Sequence, residues 1–399
     1  MFEIIYIISA VVLGILAGTF TGLFPGIHIN LVSLMLLSSS AAFLKIVSPL
    51  TLISFIIAMA ITHTFTDFIT SIFLGAPDED SFLSVLPGHQ FLLKGKAYYA
   101  IIITAYGSIS ALPIILLFTP FFIFVLPKIY PYALRIMPII LILISGFLIM
   151  SEKDKKLWAL IIFLLAGFLG VASLNLNLKE PLLPLLTGLF GASGIILSIK
   201  QKIKIPKQQI TPLKKIKLNK KSLINAVSAS VISSPFMAVL PGLGSSQAAI
   251  IGSKVIGDLD QKEFLFLLGA INTIVMGLSF IVLYSIQKTR TGAAVAVSKL
   301  IENFTFDILL IILTVVIISG ICAFFITIYF SRIIAKKINK IEYSKLSIIV
   351  LIILVCITFY FTGLLGFLVL AVSTALGITT VLLRVKRIHL MGYLLNEFF

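Results

Sequence analysis

Residues 4–30 read IIYIISAVVLGILAGTFTGLFPGIHIN. From Ile4 to Phe24 the stretch carries no charge, and ~20 such residues in a helix cross the ~30 Å hydrocarbon core of a bilayer. Pro25-Gly26 then ends the helix, because proline has no amide hydrogen to donate and its ring collides with the preceding turn. His28 and Asn30 follow the break before the chain turns apolar again. Backbone opened at membrane depth costs several kcal/mol for each unpaired N–H or C=O, so protein or water has to cover it.

The rest of the chain has the same apolar character. Of 399 residues, 59% are hydrophobic and 12% charged, with a mean hydropathy of +1.17, whereas soluble domains carry about 25% charged residues. The expected fold is an all-α polytopic membrane protein of about ten transmembrane helices, embedded in the lipid bilayer of the cell membrane. The 26 glycines suit spans that pack closely on one another. A net charge of +16 does not indicate nucleic acid, since the lysines and arginines fall in short loops between apolar runs. The heaviest run, 201–221, holds eight lysines and no acidic residue, which marks that loop as cytoplasmic. Nothing in the N-terminal stretch looks like a cleaved leader, which would begin with a basic region and end at a small-residue site. Cys322 and Cys356 lie in apolar runs without metal-ligand spacing, so no metal site is expected.

Two short apolar runs, 28–43 and 244–256, each follow a Pro-Gly. The first site reads Gly18-Thr-Phe-Thr-Gly-Leu-Phe-Pro25-Gly26-Ile-His28 and the second Ser234-Pro-Phe-Met-Ala-Val-Leu-Pro241-Gly242-Leu-Gly244. Matched interruptions in two halves of a membrane protein point to re-entrant helical hairpins and a binding site built on an internal repeat. The chain therefore divides into 1–199, a first membrane repeat; 200–221, a lysine-rich linker; and 222–399, a second repeat. Counting spans outward from the linker makes the first hairpin enter from outside and the second from inside, an inverted-topology repeat. That count requires the run 97–126 to cross once despite Pro113 and Pro120.

Candidate binding residues cluster at the breaks: Pro25, Gly26, His28 and Asn30 in the first, Pro241, Gly242, Gly244, Ser245, Ser246 and Gln247 in the second. Both returning helices begin there, and helix N-termini present free N–H groups and partial positive charge to an anion. Arg290, in Thr289-Arg290-Thr291-Gly292, adds a guanidinium suited to carboxylate or phosphate, or stands as a solvated loop charge. A second constellation is Thr62-His63-Thr64-Phe65-Thr66-Asp67 inside the apolar run 50–73. An ionisable residue in a span is a functional hypothesis by default. His63 and Asp67 share a helix face at i and i+4, giving either a coupling site with the Thr64 and Thr66 hydroxyls or a self-satisfied structural pair. No catalytic residue is assigned, and no organic cofactor is expected. Nucleotide-binding and metalloprotease motifs are missing.

With these pieces in place, the sequence resembles the large membrane subunit of the tripartite tricarboxylate transporter family. Gly18, Gly22, Pro25 and Gly26 match a glycine-rich stretch ending in Pro-Gly near that family's N-terminus. Ala76, Pro77, Asp78 and Glu79 fit an Asn-x-Pro-Gly-Glu loop, and Pro87, Gly88, Gly95, Lys96 and Ala97 fit a later glycine-lysine segment. Pro241, Gly242 and Gly244 match a second Pro-Gly-x-Gly. His28 stands where the family has a small residue, and Asp78 where it has a loop glycine. The resemblance implies a non-enzymatic secondary transporter for a small organic anion, a carboxylate, with Na+ or H+ as the coupling ion. It also implies a periplasmic binding protein and a small membrane subunit as partners, although the short chain suits a stand-alone member; a homo-oligomer is a further candidate arrangement. The competing readings are a translocase that receives a polyprenyl lipid phosphate at the same hairpins, and an intramembrane enzyme or scaffold.

Overall fold

The computed structural model describes residues 2–392 apart from 25–28, 75–84, 151, 153, 179, 201–204, 240–244, 258, 290, 302, 339–342, 388 and 391. The described residues form helices and no strands. In chain order these are α1 Phe2–Leu23, α2 Ile29–Ser38, α3 Ser40–Phe43, α4 Pro49–Leu74, α5 Val85–Leu93, α6 Ala97–Phe124, α7 Leu126–Met150 and α8 Lys156–Asn175. After them come α9 Leu182–Leu186, a π-helical turn Thr187–Ala192, α10 Ser193–Lys200, α11 Lys220–Val239 and α12 Ser245–Ile256. The chain continues with α13 Gln261–Ile286, α14 Gly292–Leu300, α15 Phe306–Lys337 and α16 Tyr343–Leu382. Seven helices among the described residues are long and apolar enough to cross a membrane. Pro113 and Pro120 leave α6 continuous, as the span count requires. The apolar stretch 344–382 counts once but is two helices meeting at Gly363, whose φ of 63° and ψ of −158° break the helix where the sequence has its glycine.

Two series of helices repeat in length. The lengths of α1, α2, α4, α5 and α6 are 22, 10, 26, 9 and 28 residues. Those of α11, α12, α13, α14 and α15 are 20, 12, 26, 9 and 32. Packing is reciprocal: α6 of the first series lies along α13 of the second, and α15 of the second along α4 of the first.

Glycines set the direction of each pairing. Gly14, Gly18 and Gly22 form one stripe on α1 that meets Phe55, Met59 and Thr66 in that order, so α1 and α4 run the same way. Thr104 meets Gly269 and Ile115 meets Gly277, which makes α6 and α13 parallel too. By contrast Tyr106 stacks on Phe324 while Leu112 lies against Gly320, so α15 runs against α6. Thr64 meets Thr273 while Asp67 meets Asn272, so α4 runs against α13, and α1, α4 and α15 share one direction opposite to α6 and α13. α4 thus opposes its counterpart α13, and α6 its counterpart α15.

Around this central bundle, α4 and α13 are almost wholly enclosed, while α1, α8 and α16 turn broad apolar faces outward. A second apolar cluster joins α8, α9 and the π-helical turn to α16. The segment after α16 straps this layer together. Lys155 Nζ donates to Leu383 O at 2.5 Å, Arg387 donates to Phe190 O at 3.1 Å, and buried His389 meets Glu152 Oε2 at 3.2 Å. Burial lowers Arg387 to about 10, so it remains cationic. On the other side of the chain, Gln208 of the lysine-rich linker accepts from Ala97 N and donates to Leu92 O. Gln209 N donates to Gly95 O. Gly95 has φ of 71° and lies against Lys207 O, a turn that only glycine takes without strain.

Two outcomes follow from this packing. A Cβ on Gly107 would stand 2.0 Å from Phe266 O, and a backbone atom cannot rotate aside. Gly107→Val is expected to cost about 1–3 kcal/mol or more and to abolish the monodisperse peak in detergent size-exclusion chromatography. Gly146→Ala, where nothing lies within 4 Å, should behave as wild type. For the strap, burial lowers the His389 pKa below 6.5 more strongly than Glu152 raises it. The folded strap therefore holds the neutral imidazole, the unfolded one takes up more protons as pH falls below 6.5, and strap stability declines on acidification. Lower protection of the amides in 384–392 at pH 5.5 than at pH 7.5, after correction for the slower intrinsic exchange at the lower pH, is the expected observation, with the difference reduced in His389→Gln.

Candidate functional site

The enclosed helix α4 carries an uncommon density of polar residues for its position: Thr62, His63, Thr64, Thr66, Asp67, Thr70 and Ser71 are all buried. A polar group withdrawn from water is costly unless it finds a partner in the protein, and α1 and α13 supply partners for several of these. Toward α1, Thr66 Oγ1 lies 3.3 Å from Gly18 O and Thr70 Oγ1 3.1 Å from Gly22 O. His63 Nδ1 lies 3.0 Å from Thr21 Oγ1. These contacts are reached because Gly18 and Gly22 have no side chain: a Cβ on Gly22 would overlap Thr66 Oγ1 at 2.0 Å. The glycine stripe therefore brings the last turn of α1, just before the Pro25-Gly26 position, against the polar face of α4.

Toward α13, Asn272 Nδ2 donates to Asp67 Oδ2 at 3.1 Å, and Thr64 Oγ1 meets Thr273 Oγ1 at 3.0 Å. Thr64 Oγ1 also donates to Ile61 O at 2.8 Å. Asp67 is 3% exposed and Asn272 likewise. The helix containing the carboxylate is thus linked to both the end of α1 and the middle of α13.

All four coupling candidates, His63, Thr64, Thr66 and Asp67, gather at this point. The described contacts of His63 and Asp67 lead to different helices, α1 and α13, rather than only to each other along one face. Pro25, Gly26, His28, Pro241, Gly242, Gly244 and Arg290 lie outside the described residues, as does the loop with Ala76, Pro77, Asp78 and Glu79. Asn30 is in the first turn of α2, and Ser245, Ser246 and Gln247 open α12; their side chains are not among those described. Of the two returning arms, α12 folds back on α11, with Gly252 against Ala229 and Ser233. The other arm, α2, packs mainly on α14 of the second series. Near position 290, Thr291 caps α14 by accepting from Ala294 N at 3.1 Å. An open polar recess of about 470 Å³ lies by the end of α13, with Gln287, Ser298, Asn303 and Thr305 in its wall.

Sequence reasoning did not assign Thr21, Thr70, Asn272 or Thr273 to the site. The rule that flagged Asp67, a polar side chain inside an apolar span, flags Asn272 too. Thr21 was masked by the glycines on either side of it.

Fold and site together define an α-helical multi-pass membrane protein with a polar centre buried between two sets of spans. The sequence matches the Tripartite tricarboxylate transporter TctA family over residues 8–392, and the chain belongs to that family. It is a family of tricarboxylate-type secondary transporters, not of enzymes, and its members usually work with a binding protein and a small membrane subunit. An uncharacterized protein of Methanocaldococcus jannaschii is 29% identical over 357 residues, covering 88% of this chain and 86% of that one. No solved structure matches.

The hydroxyl contacts between α1 and α4 generate a prediction. Thr21→Val and Thr70→Val each delete one such contact and should destabilise the protein by about 1 kcal/mol apiece, read as a lower melting temperature in detergent. Amides 19–24 should exchange faster in both variants, since the end of α1 loses a tie.

Proposed function

We propose that this protein carries a small organic anion of the di- or tricarboxylate type, driven by a gradient of Na+ or H+ that is sensed at Asp67. The single observation supporting this reading is that the buried carboxylate is bonded to one half of the helix series through Asn272 while its own helix grips the end of α1. An ion that neutralises Asp67 therefore acts on the contact between the halves and on the arm leading to the first Pro-Gly. In this reading the two halves, 1–199 and 222–399 joined by the linker 200–221, form an inverted-topology repeat. Opposed directions of α4 and α13, and of α6 and α15, support it. The N-termini of α2 and α12, with Pro25, Gly26, His28, Asn30, Pro241, Gly242, Gly244, Ser245, Ser246 and Gln247, take the anion. Arg290 either contacts it or guards the approach from the polar recess. Positive-inside bookkeeping puts the lysine-rich linker on the cytoplasmic face.

The family's binding protein and small subunit are the partners this reading carries over. A carrier-lipid phosphate has the same charge chemistry as a carboxylate, so the decisive comparison is between the two substrates. Proteoliposomes should accumulate labelled citrate or succinate against its gradient when a Na+ or H+ gradient is imposed, and should not speed the transbilayer movement of a fluorescent polyprenyl phosphate. The opposite pattern would replace the carboxylate reading by the lipid one. Asp67→Asn keeps an oxygen that accepts from Asn272, so the protein should fold while gradient-driven accumulation is lost. Wild-type accumulation in that variant would make Asp67 a structural residue.

A further inference from the structure

We propose that Asn272, seconded by Thr273, is the positioning residue through which the charge state of Asp67 is transmitted between the halves; this rests on the coupled-transport reading above. The amide N–H of Asn272 is a donor, and an ionised carboxylate is its strongest available acceptor, since charge-assisted hydrogen bonds are about twice as strong as neutral ones. The 3.1 Å contact therefore tightens when Asp67 is ionised and slackens when a proton or metal cation neutralises it. Asn272 Nδ2 also lies 3.4 Å from Thr64 O, so it has a second acceptor on α4 to turn to when the first weakens. Thr64 and Thr273, touching across the same junction, keep the two helices in register while that exchange occurs.

The surroundings leave Asp67 as the group best placed to respond. His63 lies one turn earlier on α4 and bonds Thr21. α5 contributes His89, while α1 has only Glu3 and Tyr6, both toward its start, and α2 has no titratable side chain. On α13 the charges Lys262 and Glu263 sit in the first turn, far along the helix from Asn272, and Tyr284 sits near its end. On α15, Asp307 opens the helix, Cys322 and Tyr329 lie along it, and Arg332, Lys336 and Lys337 close it. The remaining neighbours carry Tyr98, Tyr99 and Tyr106 on α6, Lys299 on α14, and Tyr343, Lys345, Cys356 and Tyr360 on α16. Asn272 is a side chain of the opposite series that the structure bonds directly to the carboxylate.

The test is gradient-driven accumulation of labelled citrate or succinate in proteoliposomes, compared with downhill uptake, for wild type, Asn272→Ala and Asn272→Asp. Each is assayed across pH 5 to 9 at fixed Na+ and across Na+ concentrations at fixed pH. Asn272→Ala should lower the ratio of driven to downhill uptake at least tenfold. Asn272→Asp sets a second carboxyl against the first, so one of the pair binds its proton more tightly. If the coupling ion is H+, the pH optimum moves at least one unit upward; if it is Na+, half-saturation in Na+ shifts several-fold while the pH optimum holds. Melting temperature in detergent checks that each variant is folded, and Asn272→Gln, which keeps the donor, should recover part of the ratio if Ala does not fold. Folded variants with wild-type ratios, pH optimum and Na+ dependence would overturn the role of Asn272. Failure of the wild-type protein to take up any carboxylate would instead overturn the transport reading on which it rests.

Discussion

Asp67 is a carboxylate held in the middle of a bundle whose outer surface faces hydrocarbon, and an ion in that setting has to be answered by nearby dipoles or by a counter-ion. Much of the central architecture can be understood from that requirement. The amide of Asn272 comes from α13, so α4 and α13 must touch. For them to touch, the helices around them have to pack without bulky intervening side chains, which the glycines on α1, α6 and α13 permit. Threonines then fill the polar contacts on α4, using short side chains that bond carbonyls on their own helix and on α1.

Much of the fold was legible in the sequence. Long uncharged runs leave no other solution for backbone hydrogen bonding than a helix, so the α-helical membrane class followed from composition and run length. What could not be read was the assignment of partners. Nothing in the spacing of His63 and Asp67 tells which neighbouring helix each will face, because i and i+4 residues on a helix share a side but fan apart around it. Nor does sequence show that the first returning arm packs on α14 rather than on its own outgoing helix, since both surfaces are apolar and of similar length. Short helices such as α14, nine residues between capped ends, have too few apolar positions for a periodicity to stand out.

The candidate site was half legible for the same reason. Asp67 and the threonines stood out because polarity within an apolar run is costly and rare. Asn272 carries no charge and is less conspicuous, yet in this fold it is as deeply buried as the carboxylate it serves. Thr21 illustrates a different obstacle: its importance arises from the two glycines that flank it, whose missing side chains bring its hydroxyl within reach of the imidazole.

The docking of Gln208 and Gln209 on the turn before α6 changes where the first half ends. Covalently the linker begins at about residue 200, but Gln208 and Gln209 are held by Leu92, Gly95 and Ala97 of the first set of helices. From 210 to 219 the linker stays on the bundle, making one 3-10 turn at Leu213–Lys215 and burying Ile216 in the main apolar cluster, with Ile210 and Leu218 against it. The linker is thus a stay laid along the helices and not a free tether, because lifting it off would expose apolar side chains that are now buried. A gene cut for two-piece expression should accordingly fall after Gln209, leaving the glutamine clasp with the N-terminal piece.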